Sequence, residues 1–124
     1  MTAAREAAER RGRLAESAAA LWLIMKGYRI VDRRLRGRQG EIDLVAWHRT
    51  PAPHGTLCFI EVKWRPTLDQ AAEAVNTRQR ERLARASSEF LQRRPNYAQA
   101  AVRFDAVLLA PQSWPRHIRD AWRV

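Results

Sequence analysis

The sequence predicts an α/β domain in the order α-β-β-β-α-β, a mixed central sheet flanked by helices. Three observations carry this. A proline-free run of good helix formers opens the chain and stops at Gly27. Apolar stretches separated by glycine and proline turns follow it. Two capping signals then precede a last apolar strand.

The first helix is expected over residues 3–26. Its second half, Ser17–Met25, is apolar all round, which predicts packing from several directions, with Trp22 in the core. Gly12 costs about 1 kcal/mol against alanine inside a helix, so it suggests a close approach to another element or a frayed first turn. Tyr28–Arg34 reads as a strand ending in an arginine cluster, and Gly37 and Gly40 frame a turn. Glu41–Trp47 alternates, with Ile42, Leu44 and Ala46 on one face and Glu41, Asp43 and Val45 on the other. Residues 48–56, HRTPAPHGT, form a loop of hairpin character. In the next strand, Leu57, Phe59, Glu61 and Lys63 share one face, and Cys58, Ile60 and Val62 the other.

Thr67–Gln70 and Asn76–Gln79 are successive capping boxes. They predict a short helix to about Val75 and a long one to about Arg94, ended by Pro95. The long helix carries a stripe at Gln79, Leu83, Ala86 and Phe90. Val102–Ala110 is another strand, and the tail from Trp114 to Val124 offers an edge strand around His117–Trp122.

The 124 residues fit one domain, and 46% hydrophobic content supports a real core. One cysteine, Cys58, excludes an internal disulfide framework and a cysteine-rich zinc site. The formal charge of +10 points to a polyanionic partner, nucleic acid before membrane. Of the 23 basic residues only Lys26 and Lys63 are lysines, which singles out each of them. The longest apolar run, Ala18–Met25, is far short of the roughly 20 residues of a membrane span. Glu6, Glu9 and Glu16 precede it and no small-residue cleavage site follows, so a cytoplasmic address is expected.

Three charges stand where strands should pack a core: Asp43, Glu61 and Lys63. A hairpin through the 48–56 loop brings Asp43 beside Glu61. Two adjacent carboxylates need a cation. Oxygen ligands without cysteine or a nearby histidine favour Mg²⁺ or Mn²⁺. An adjacent lysine can polarise a water or a phosphoryl oxygen, which together is the equipment of metal-assisted phosphodiester hydrolysis.

Asp43…Glu61-Val62-Lys63 resembles the Asp…Glu-x-Lys signature of restriction-endonuclease-like nucleases. More closely, the chain resembles the bacterial YraN-like family, read as nucleases and similar to archaeal Holliday-junction resolvases. The matching stretches are 12–16 (GRLAE), 26–30 (KGYRI), 40–46 (GEIDLVA), 59–65 (FIEVKWR), 73–76 (EAVN) and 103–105 (RFD). Thr77 and the Gln79-Arg80 pair depart from the pattern, which often has proline and then Lys-Gln there.

The resemblance implies a restriction-endonuclease-like core and a DNA endonuclease, with branched or structured DNA as a candidate substrate. It implies Asp43, Glu61 and the Val62 carbonyl as metal ligands, and Lys63 as the residue that orients water. Glu16 would reach the same centre or a second metal, and Glu41 would assist through water. Arg38, Arg65 and Arg78 are candidates for phosphate contacts. A junction-cutting enzyme needs two active centres, so a homodimer is expected under that reading. A non-catalytic nucleic-acid-binding module that keeps the fold is the alternative, and the charge alone motivates it.

Overall fold

The computed structural model describes residues 2–122. Helix α1 (Ala3–Met25) leads into strands β1 (Arg29–Gly37), β2 (Gly40–His48) and β3 (Thr56–Trp64). Helices α2 (Leu68–Glu73) and α3 (Thr77–Arg93) follow, then a short 3₁₀ turn and strands β4 (Ala101–Leu109) and β5 (Arg116–Trp122). The order in the single sheet is β1-β2-β3-β4-β5. All neighbours are antiparallel except β3 and β4, which run parallel across the α2–α3 crossover. The architecture is thus a mixed five-stranded sheet with helices against it. Arg123 and Val124, the end of the expected tail, lie outside the described residues.

Each helix starts where its cap directs. Thr67 Oγ1 accepts from the Gln70 N–H at 3.1 Å, and Asn76 Oδ1 accepts from the Gln79 N–H at 3.0 Å. These two caps make the break between α2 and α3. The stripe Leu83, Ala86 and Phe90 is buried, and it packs with Val45, Leu57, Phe59 and Phe104 on one face of the sheet. On the opposite face, Ala15, Ala19, Ala20 and Leu23 of α1 cover Leu44, Ala46, Cys58, Ile60 and Val62.

Three local expectations fail. Ser17–Met25 is not packed from several directions: Leu21 is 59% exposed and Met25 73%, because only one flank of α1 meets the sheet. Trp22 is half-buried and leans on Trp114, with ring centroids 5.8 Å apart, instead of filling the core. Gly12 marks no close approach, since a Cβ there would meet nothing within 4 Å.

The alternation expected in β2 also breaks. Leu44 packs on the α1 face, but Ile42 packs with α3. The two faces switch at Asp43, opposite Arg34 of β1, which has φ 51° in a strand otherwise paired from Arg33↔Leu44 to Leu35↔Ile42. Arg33 and Arg34 consequently both reach α1, where regular alternation would send them to opposite faces.

The far end of the sheet is pinned by a buried carboxylate. Asp105 is fully buried. It accepts from Arg103 (Nε 2.8 Å, Nη2 2.9 Å) and from the Asp120 backbone N–H (3.0 Å). His117 Nε2 lies 2.8 Å from it, and Lys26 Nζ lies 2.7 Å from His117 Nδ1. Burial raises its pKa, but the His117 and Arg103 contacts win and hold it down at about 2. This network ties β5 and the end of α1 to β4.

Candidate active site

The backbone ladder between β2 and β3 runs from His48↔Thr56 to Leu44↔Ile60. One step further on, a side chain takes over: the Val62 N–H donates to Asp43 Oδ2 at 2.8 Å. That bond fixes Asp43 against the end of β3. Glu61 and Lys63 continue the row of Leu57 and Phe59 on the α3 face. Lys63 Nζ lies 3.1 Å from Glu61 Oε1, with both side chains largely buried. Gln79, in the first turn of α3, accepts from Lys63 Nζ at 2.8 Å and donates to the Ala74 carbonyl at 2.7 Å, with its amide oriented to satisfy both. The break between α2 and α3 therefore aims a side chain at the lysine.

Glu16 arrives from α1. Arg34 Nε lies 3.1 Å from Glu16 Oε1 without hydrogen-bond alignment, so that buried oxygen has no hydrogen-bond partner. Glu16, Glu41, Asp43, Glu61, Val62 and Lys63 all line one open cleft of about 640 Å³. Gly12 lines it as well. Glu41 is exposed and pairs with Arg36 at 3.5 Å.

The electrostatics of the cleft are strained. Burial, and then the Asp43 charge, push Glu61 up to about 7 against the pull of Lys63. Burial and Asp43 also push Glu16 up to about 7, against Arg34. Asp43 itself is raised, chiefly by burial, despite the Val62 hydrogen bond and Lys63. Three acids thus share a partly buried space in which desolvation outweighs the cations beside them.

The arginines sort by geometry. Arg65 lines the cleft, joined by Arg11 and Arg82. Arg38, in the β1–β2 turn, and Arg78, in the first turn of α3, are exposed and are not among the lining residues. Sequence reasoning passed over Arg11, read Arg82 as part of the solvated face of α3, and set Gln79 aside as a departure from the family pattern. The capping box, which fixes where the turn begins, and the helix stripe were the signals for Gln79. Trp64 also lines the cleft, with the Arg11 guanidinium 6.0 Å from its ring centroid. Trp47 is instead held away at the opposite end of β2, where its Nε1 donates to the His54 carbonyl at 3.0 Å. Cys58 is buried on the α1 face, its thiol pushed up to about 12 by burial, so it is no nucleophile.

Among the described residues no three acidic, histidine or cysteine groups form a ready metal cage. The donor set nevertheless suits a hard divalent ion. It offers oxygens only, one of them without a hydrogen-bond partner, and its acids are raised by burial and by one another. Lys63 and Arg34 occupy two of the carboxylates that an ion would draw in.

Residues 15–109 match the family described as "Uncharacterised protein family UPF0102". The chain belongs to the UPF0102 family. A UPF0102 protein of Paramagnetospirillum magneticum is 51% identical, over 98% of this chain and 93% of its own length. One of Parvibaculum lavamentivorans is 50% identical, over 94% and 84%. One of Rhodopseudomonas palustris is 51% identical, over 95% and 84%. The UPF0102 match spans every cleft-lining residue from Ala15 to Arg82, so the proposed centre lies within the shared domain. Among the described residues, no helix is long and apolar enough to cross a membrane.

Proposed function

We propose that this UPF0102 protein is a divalent-metal-dependent endonuclease of the YraN-like, restriction-endonuclease-like kind, hydrolysing DNA phosphodiester bonds in the cytoplasm. One observation carries the reading: Asp43, Glu61, Lys63 and Glu16 come from three different elements and face one cleft. Burial and mutual repulsion raise all three acids, the pattern that catalytic clefts build.

Asp43, Glu61 and the Val62 carbonyl would hold Mg²⁺ or Mn²⁺, with Glu16 as a further ligand. The ion would supply Lewis acidity toward a phosphoryl oxygen and lower the pKa of a bound water. The chain's own residues do the rest. Val62 N–H holds Asp43 in place. Gln79 holds Lys63 at the cleft, where its ammonium orients the attacking water and offsets charge on the phosphate. Arg11, Arg65 and Arg82 line the same cleft and contact phosphates beside the scissile one. Branched or structured DNA is the preferred substrate under the junction-cutting form of this reading, and the protein then acts as a homodimer.

The test is a cleavage panel of duplex, flap, four-way-junction and single-stranded DNA with Mg²⁺ or Mn²⁺. The expected result is cleavage that disappears in Asp43→Ala and Lys63→Ala. A folded, DNA-binding protein that cuts none of these substrates overturns the reading. A second reading, a non-catalytic nucleic-acid-binding module, draws on the closed pairing of Lys63 with Glu61 and Gln79. It predicts salt-sensitive DNA binding that Asp43→Ala leaves intact, and no Mn²⁺ binding that depends on Asp43 and Glu61.

A further inference from the structure

Arg34 occupies a backbone position that does not suit it. Its φ of 51° lies in the left-handed region, which favours glycine and asparagine. The conformation sits mid-strand, between the regular pairs Arg33↔Leu44 and Leu35↔Ile42. It turns two consecutive side chains toward α1, so that Arg33 Nη2 donates to Ser17 Oγ at 2.6 Å while Arg34 meets Glu16. The contacts of the two guanidinium groups are what offset the cost of that backbone conformation.

That guanidinium is placed between two kinds of partner. On one side is Glu16, whose Oε1 it approaches at 3.1 Å without hydrogen-bond alignment, while the same carboxylate also hydrogen-bonds Asp43. On the other is an open depression lined by Glu9, Arg13, Arg34 and Arg36. The Arg34 side chain is 36% exposed, against 13% for Glu16. A planar guanidinium pairs equally well with a carboxylate or a phosphate.

We propose that Arg34 is a phosphate-responsive latch on Glu16. In the empty cleft it holds the Glu16 carboxylate. A nucleic-acid phosphate entering the depression draws the guanidinium away, which uncovers Glu16 Oε1, already beside Asp43, as a further ligand for the ion that Asp43 and Glu61 would hold. The latch rests on the nuclease reading and adds to it a coupling: backbone binding completes the metal site. Neither charge is left unpaired during the exchange, because the phosphate replaces the carboxylate as the arginine's partner and the ion replaces the arginine as the carboxylate's.

Mn²⁺ binding followed by electron paramagnetic resonance tests it, using a short phosphorothioate duplex that resists cleavage. Arg34→Asn suits the left-handed backbone and removes the cation; Arg34→Gln is the second variant should the first not fold. Without DNA, Arg34→Asn should bind Mn²⁺ about tenfold tighter than the wild type, as expected for removing one nearby cation. The gain should vanish in a Glu16→Gln background. Adding the duplex should tighten Mn²⁺ binding more in the wild type than in Arg34→Asn, since ligand couplings are reciprocal. Equal Mn²⁺ affinity of Arg34→Asn and wild type without DNA overturns the latch. So does an undiminished gain in Glu16→Gln, or an equal effect of DNA on both proteins. In those cases wild-type Mn²⁺ binding that Asp43→Ala abolishes leaves the metal site standing. A wild type that binds no Mn²⁺ overturns both.

Discussion

Asp43→Asn should make the metal-free protein more stable and the metal-loaded protein less stable than the wild type. Asparagine keeps an oxygen that can accept the Val62 N–H, now 2.8 Å from Asp43 Oδ2, and loses only the charge. That charge is a net burden: burial outweighs the Val62 hydrogen bond and Lys63, so the Asp43 pKa is raised. Its loss also relieves Glu61 and Glu16, both pushed up to about 7 by burial and then by Asp43.

The sign follows from proton linkage. Groups raised on folding bind more protons folded than unfolded, so their contribution to stability falls as pH rises from the ordinary carboxylate range through about 7. One pKa unit corresponds to about 1.4 kcal/mol. Asp43 is the second cause of each glutamate shift, after burial, so relief of about 1–2 kcal/mol is expected at pH 8. Near pH 5 the glutamates are largely protonated and the advantage shrinks. Saturating Mn²⁺, at a hundred times its dissociation constant, would add about 2.7 kcal/mol to the wild type alone and invert the order. Urea unfolding at pH 5 and pH 8, with and without Mn²⁺, reads all four quantities. An Asp43→Asn protein less stable than wild type at pH 8 without divalent ions would refute the reasoning.

Three further outcomes are expected. Asp105→Ala should lose about 3–5 kcal/mol in denaturant unfolding, because it leaves the largely buried Arg103 and His117 side chains without their acceptor; because Asp105 is held at about 2, its share of stability should persist above the ordinary carboxylate range and fade as pH falls through about 2. Gly55→Ala should cost at least 1–3 kcal/mol, roughly the range for overpacking, since its φ is 71° and a Cβ would overlap the Trp47 indole; an unchanged thermal midpoint contradicts it. Gln79→Ala should lower kcat on DNA roughly tenfold to a hundredfold with KM and thermal midpoint little changed, because Lys63 loses its positioning partner; a change in KM alone would assign Gln79 to binding.

Much of the fold could be read from the chain because its signals are local. Period-two patterning in 57–63, the caps at Thr67 and Asn76 and the stop at Pro95 act over a few residues, and each appears where expected. The convergence of Asp43, Glu61 and Lys63 followed from one hairpin, whose register the loop itself could not specify. What stayed hidden is tertiary. Leu21 and Met25 are as apolar as Leu23, and only the rotation of α1 against the sheet decides which is exposed. Arg38 and Arg78 look like Arg11 and Arg82 in a chain full of arginine, but helix and turn placement puts the latter pair at the cleft. The left-handed conformation of Arg34 contradicts its own residue preference, so no propensity could announce it. At the same point of the sheet Ile42 lies on the face opposite Leu44. Gly12 was singled out correctly as odd, but its place is at an open cleft and not at a tight contact.

The most direct test of the metal centre is anomalous diffraction from crystals grown with Mn²⁺. A single strong peak should lie between Asp43 and Glu61, within bonding distance of both carboxylates and of the Val62 carbonyl, with Lys63 withdrawn from Glu61. A map in which Lys63 stays on Glu61, Asp43 keeps only the Val62 N–H and no Mn²⁺ lies between the two acids would contradict a metal-dependent nuclease.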